Sequence, residues 1–236
     1  MRVIALDTTT RAGSVALVED GRVIDERAGD ASRTHAERLP AEIMALADAH
    51  RVSLSEIDLY AVASGPGSFT GLRIGIATVQ GLAFVHRRGI VSIPALEALA
   101  HASSMDLSPG SAIAAWMDAH RRDVFAAAYR VGGASPFSAG RLEEIDGPSV
   151  GDPVSTLTRW SGELALMPSV FVGDGAVMYE TEIRRAILGA RVIAHPLLAG
   201  TIGRLAIDRA SSALDPAEVR PLYVRKPDAE IARDKK

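Results

Sequence analysis

A chain of 236 residues that is 47% hydrophobic and 23% charged, with a net charge of −3, can bury one large core or fold as two lobes of roughly 100 residues each. The charge balance and the lack of any long Lys/Arg run exclude a chain-wide footprint for nucleic acid, and the absence of cysteine excludes disulfides, thiolate metal sites and a Cys nucleophile. With aromatics at 5%, the core falls to Ala, Val, Ile and Leu.

The opening "MRVIALDTTT" is too short an apolar run for a signal sequence or a membrane span, which predicts a cytoplasmic protein. Strands are predicted over residues 3–6, 14–18 and 22–26, the last two joined through Asp20-Gly21, where a tight hairpin turn needs positive φ. "THAERLPAEIMALADAH" places Leu39, Ile43 and Leu46 on one helical face, with Pro40 near the first turn. A buried strand over 59–63 then leads through "SGPGSFTG" into a helix over about 70–87, followed by a strand at 90–93 and a helix in "PALEALAHA".

The polar stretch 103–111 reads as a linker, dividing a first lobe (1–102) from a second (103–225). After it the same order returns. Strands are predicted at 112–118, at 124–131 and in "GRLEEI". A helix follows Asp152 as N-cap with Pro153 at its first position, then a strand at 169–173 and a helix in "AVMYETEIRRAIL". A strand at 191–194 and a helix at about 198–213 complete the half, and a charged tail, 226–236, is expected to be flexible. Each half thus reads β-β-β-α-β-α, with an Asp, Asp7 or Asp118, closing its first strand.

That duplicated α/β order resembles the actin, hexokinase and Hsp70 ATPase architecture. Within it, "ALDTTTRAGSVAL", "SGPGSFTGLRIGIATVQGLA", "DAHRRDVFAAAY" and "RPLYVR", in that order, resemble the bacterial TsaB (YeaZ) family over nearly the whole chain. The resemblance implies a non-catalytic relative of TsaD. It would work as a cytoplasmic scaffold in the complex that installs N6-threonylcarbamoyladenosine at position 37 of tRNAs reading ANN codons. It further implies TsaD and the ATPase TsaE as partners, a homodimer as an alternative assembly, and contact with tRNA only through the complex.

The residues themselves argue against nucleotide chemistry. A P-loop needs Lys and Ser/Thr after its last glycine, and here Gly71 is followed by Leu72 and Arg73; Gly65, Gly67 and Gly71 also miss the dinucleotide spacing. The resemblance places Asp7, Thr8, Asp118, Gly173 and Gly175 at the fold's nucleotide cleft. There the arginines of "DAHRRDVF" replace the small residues that close on phosphate, leaving at most weak adenine-nucleotide binding and no required cofactor. No two histidines stand one helical turn apart, so no metal is expected. Gly71, Gly75, Thr78 and Gly81 suggest a side of the second helix that a neighbour approaches closely. Together with the resemblance this predicts a partner interface at Leu39, Ile43, Leu46, Leu72, Gly75, Ile76, Val79 and Gly81; the alternative is a helix buried entirely within this chain, with the helix over 36–50 as its neighbour. The rival reading is an ATP-dependent small-molecule kinase or ATPase of the same fold, with both aspartates active; a metal-dependent peptidase has almost no support in the residues.

Overall fold

The structure, a computed structural model, describes residues 1–225; the expected flexible tail lies outside the described residues. The first sheet takes β1 (Arg2–Asp7), β2 (Ser14–Glu19), β3 (Arg22–Ala28), β4 (Leu59–Gly65) and β5 (Gly89–Pro94) in the order β3-β2-β1-β4-β5. β1 to β3 form an antiparallel meander, and β4 and β5 join parallel to β1. The second sheet repeats the plan with β6 (Ala112–Asp118), β7 (Val124–Val131), β8 (Leu142–Gly151), β9 (Val170–Val172) and β10 (Arg191–Ile193), ordered β10-β9-β6-β7-β8. Two copies of one topology, each with its second strand antiparallel, make the duplicated actin-like architecture.

Strand alternation sets the layers. In β1, Ile4 and Leu6 face outward onto α1 (His35–Ala49) and α2 (Phe69–His86), whereas Val3 and Ala5 face inward. The inward layer holds α3 (Ala95–Ser103) and α7 (Ala199–Asp208), packed in one cluster with Ile113 and Ala115 of the second sheet. On that sheet's far side, Trp116, Trp160 and Phe171 pack ring against ring beneath α4 (Pro153–Gly162). Helices are exchanged between the halves. α7 lies on β1, β2 and β4, close enough that a Cβ on Gly203 would come within 2.6 Å of Val18, and α3 lies on β6. A cut at residue 103 therefore separates the sheets but not their cores.

Three elements differ from expectation. "AVMYETEIRRAIL" breaks at Tyr179 (φ −111°, ψ 29°) into α5 (Asp174–Met178) and α6 (Glu180–Ala186). β8 continues to Gly151, and the last helix stops at Asp208, after which Leu214 pairs with Ile90 at the edge of the first sheet.

The central helices are joined by an ion pair. Burial alone would raise the Glu97 carboxyl, but His101 and the forked Arg209 guanidinium at the end of α7 hold it down at about 2. A carboxyl depressed in the folded state stabilises fully above its unfolded value of 4.5 and loses that contribution as the pH falls towards 2. The difference corresponds to about 3 kcal/mol. Urea unfolding of the native chain and Glu97→Gln should therefore show a gap that is widest above pH 4.5 and closes on acidification; a gap independent of pH would remove Glu97 as its source.

Candidate functional site

The ends of β1 and β6 open on a cleft of about 1240 Å³ lined by residues 9–11, 66–74, 117–121 and 222–225. Its first loop is spent on internal bonds. Asp7, 2% exposed, accepts from the Thr9 backbone N–H at 2.9 Å and the Thr9 hydroxyl at 2.6 Å, both at Oδ1. Thr8 is fully buried, with a hydroxyl that has no hydrogen-bond partner. What buries it is the glycine segment. The Ser68 N–H donates to Thr9 O at 2.8 Å, and Cβ atoms on Gly67, Gly71 and Gly75 would lie 2.6 Å from Thr9 Cβ, 2.1 Å from Thr8 O and 2.2 Å from Thr8 Oγ1. "SGPGSFTGLRIG" is thus a close-approach surface that seats α2 on the β1–β2 loop, with Ser68 capping the helix through the Gly71 N–H.

The second loop is similarly occupied. Asp118 accepts the His120 N–H at 2.7 Å and contacts His120 Nδ1 at 3.0 Å. Its own N–H and that of Gly175 donate to Asp174 Oδ1 at 3.0 and 2.9 Å. Gly173 and Gly175 are accounted for by packing, since Cβ atoms there would lie 2.0 Å from Trp116 O and 2.8 Å from the Met117 carbonyl carbon. The cleft brings Asp118 and the Thr9–Thr10 loop to one opening, but the N–H groups of Thr9, Asp118, His120 and Gly175, which could cradle a phosphate, are already bonded within the chain.

His35 braces the first loop. Its Nε2–H donates to Thr10 O at 3.0 Å, and its Nδ1 accepts from the buried Arg38 at 2.9 Å; burial lowers its pKa, consistent with a neutral ring. Arg38 in turn bonds Arg11 O, Ala12 O and Glu42. Among the described residues, no three His, Asp or Glu side chains are grouped to hold a metal ion, and no helix is long and apolar enough to cross a membrane.

The expected partner interface needs correction. Leu39, Ile43, Leu46, Leu72, Gly75, Ile76 and Val79 are all buried in this chain's own structure, so they offer no surface; of the eight, Gly81 alone is exposed. The repeat of small residues is divided between two sides of α2: Gly71 and Gly75 face Thr8, while a Cβ on Gly81 would meet nothing within 4 Å. The outward stripe instead carries Ala77, Gly81 and Phe84, the last 78% exposed and adjoining Val85 at 72%. Met44 of α1, 47% exposed, shares a shallow depression with His86 at the end of α2. Little in the sequence signals this face, because α2 is apolar nearly all round and its periodicity does not say which side is covered.

The other feature missed is a C-terminal strap. The Leu222 N–H donates to Ser64 O at 2.7 Å, and Tyr223 stacks on Phe69 with centroids 4.9 Å apart. Arg73 lies over Phe69 at 4.0 Å and donates to the Tyr223 hydroxyl at 2.9 Å. Arg225 then reaches the other lip, donating to Ala119 O at 2.6 Å and pairing with Asp123.

Comparison with known proteins agrees with this architecture. The family model described as "TsaD: tRNA N6-adenosine threonylcarbamoyltransferase" matches residues 28–149. The chain is 36% identical over 127 residues to the tRNA threonylcarbamoyladenosine biosynthesis protein TsaB of Haemophilus influenzae, covering 53% of this chain and 52% of that one. It is 35% identical over 130 residues to TsaB of Escherichia coli, covering 55% of each. In these matches the chain spans about half the length of the curated relatives. YeaZ from Pseudomonas aeruginosa superposes with a TM-score of 0.74 at 28% identity, covering 94% of this chain and 99% of that structure. With its duplicated sheets, its glycine-seated second helix and these matches, the chain belongs to the TsaB/YeaZ family, within the wider group that the TsaD model describes.

Proposed function

We propose that this chain is a non-catalytic subunit of the cytoplasmic machinery that forms N6-threonylcarbamoyladenosine at position 37 of tRNAs reading ANN codons, acting by pairing with a TsaD-type catalytic subunit. The relatives' names supply the pathway. The observation that carries the non-catalytic role is the state of the two cleft aspartates. An acid that orients a nucleophile or holds Mg²⁺ through water needs free carboxylate lone pairs facing the cleft. Asp7 is buried against Thr9, and Asp118 is engaged by His120. A partner role is supported by the outward face of α1 and α2, where Phe84, Val85 and Met44 expose apolar surface beside Gly81. TsaE, as the ATPase of the same machinery, would join the assembled pair, and self-pairing through the same face would compete with it.

The test is threonylcarbamoyl transfer to tRNA by the cognate partner subunits, with the native chain, without it, or with Asp7→Asn/Asp118→Asn. Asparagine Oδ1 can still accept the Thr9 and His120 bonds, so the double variant should fold. Loss of transfer on omission, with full activity restored by the double variant, is expected. A folded double variant that fails would make the cleft chemically active, and transfer unaffected by omission would overturn the assignment.

A further inference from the structure

The structure joins two basic segments that lie about a hundred residues apart in sequence. "HRRD" forms the turn between β6 and β7, and Arg225 of the strap bonds directly to that turn, through Ala119 O at 2.6 Å and the Asp123 carboxylate. In the turn, His120, Arg121 and Arg122 all have positive φ (57°, 56° and 68°) and all are exposed. Non-glycine residues rarely adopt this conformation. Across the cleft stand Arg11, Arg33 and Arg73, also exposed. Arg11 donates to Ala31 O at 2.7 Å, Arg33 to Glu37 O at 2.9 Å and Arg73 to Tyr223, contacts that orient the guanidinium groups without neutralising them.

Five arginines, Arg11, Arg33, Arg73, Arg121 and Arg225, thus line the opening against the carboxylates of Asp118 and Asp174, with Arg225 itself paired to Asp123. Asp118 is held by His120 and Asp174 by two backbone N–H groups, bonds that fix the carboxylates in place without cancelling them, so the rim is positive because arginines outnumber acids in its lining. Near Arg33, Asp30 bonds Ser32 and Glu37 bonds Thr34. A chain of net charge −3 has therefore gathered positive charge around one mouth.

We infer that this arginine rim is a direct contact surface for the phosphate backbone of RNA, specifically the tRNA substrate of the reading above, on which the inference rests. The placement favours a polyanion over a mononucleotide. A nucleotide's phosphates need donors that converge on one point, and the backbone N–H groups best placed for that are occupied. Charges spread over an open rim instead match phosphates repeating along a strand, which bind with release of counterions. Overall charge predicted no direct grip on RNA because it averages this rim with an acidic remainder.

The test measures binding of labelled, unmodified tRNA to the complex of this chain with TsaD, from about 50 to about 200 mM salt, comparing native with Arg11→Gln/Arg33→Gln/Arg121→Gln. A loss of about tenfold in affinity at the lower salt is expected, with the slope of log affinity against log salt shallower by about two to three. Association with TsaD should not change. If the triple variant does not fold, Arg11→Gln alone, at an exposed position whose guanidinium donates to a backbone carbonyl, should reduce the slope by about one. Unaltered affinity and slope in a folded variant would overturn the inference, as would complete displacement of the effect by ATP alone. If omitting the chain abolishes transfer while the arginine variants leave tRNA binding intact, the rim inference fails and the functional assignment stands.

Discussion

Gly71→Ala is expected to destabilise the protein by about 3 kcal/mol, lowering the melting temperature by about 6–12 °C. The new methyl would sit 2.1 Å from Thr8 O, a backbone atom of the β1–β2 loop that cannot rotate away, and 3.1 Å from Ser68 Cβ on the other side. The loop cannot retreat either. Asp7 holds it through Thr9, and His35 and Arg38 hold it at Thr10, Arg11 and Ala12. Gly75→Ala meets a different obstacle, since its nearest atoms, at 2.2 and 3.0 Å, are Oγ1 and Cγ2 of Thr8. The two sites therefore separate in a double-mutant cycle. Thr8→Ala removes both side-chain atoms, together with a buried hydroxyl that has no partner, and should recover much of the loss from Gly75→Ala but none from Gly71→Ala. Thermal melts of the six proteins, native, the three single variants and the two doubles with Thr8→Ala, decide it: equal rescue at both positions would mean that α2 moves as a body and that the contacts at Thr8 do not fix its seat.

The sheets were legible in the sequence because short apolar runs ending in Asp or Gly recur in the same order twice, and strand burial follows a period of two that survives any helix arrangement. The exchange of α3 and α7 between halves was not legible. Local pattern reports that a helix has an apolar face, as "PALEALAHA" does, but not which sheet covers it. The same limit governs the interface. Leu39, Ile43 and Leu46 mark a helix face that must be buried, and nothing in their spacing distinguishes burial against β2 and α2 from burial against another protein. Gly75 and Gly81 are likewise both glycines on one helix, separated in role by Thr8, a residue sixty-seven positions before Gly75 in the chain. The cleft aspartates were found by their place at strand ends, but their partners were not. Asp118 is met by the N–H and ring of His120, a neighbour that its place at a strand end does not single out. A turn held by three consecutive left-handed residues is not predicted by arginine-rich sequence, so the geometry that brings "HRRD" beside the strap appears only in three dimensions.

Gly75→Leu would drive a side chain into Thr8, 2.2 Å from where its Cβ would stand, and unfold the chain; Gly81→Leu should do the reverse. A Cβ at Gly81 meets nothing within 4 Å, and leucine is a better helix former than glycine by up to about 1 kcal/mol, so the folded chain should be unchanged or slightly more stable. On the proposed assignment, however, the added side chain projects beside Phe84 and Val85 into the space a TsaD-type partner must occupy, where a close helix approach leaves no room for it. Phe84→Asp attacks the same face from the other direction. Its ring is 78% exposed in the isolated chain, so its loss costs the fold little, while a carboxylate placed at the centre of an apolar contact must be desolvated without a counter-charge. Central aromatic residues at interfaces typically contribute 2 kcal/mol or more, which corresponds to about a thirtyfold loss of affinity. Titration calorimetry with the partner subunit, alongside melts of each variant, separates the cases. Native melting with lost association for Gly81→Leu and Phe84→Asp, against a collapsed melting temperature for Gly75→Leu, would locate the interface on the outward stripe of α2. Undiminished association in either folded outward variant would move the interface off this helix, leaving the exposed Phe84 without a role in pairing.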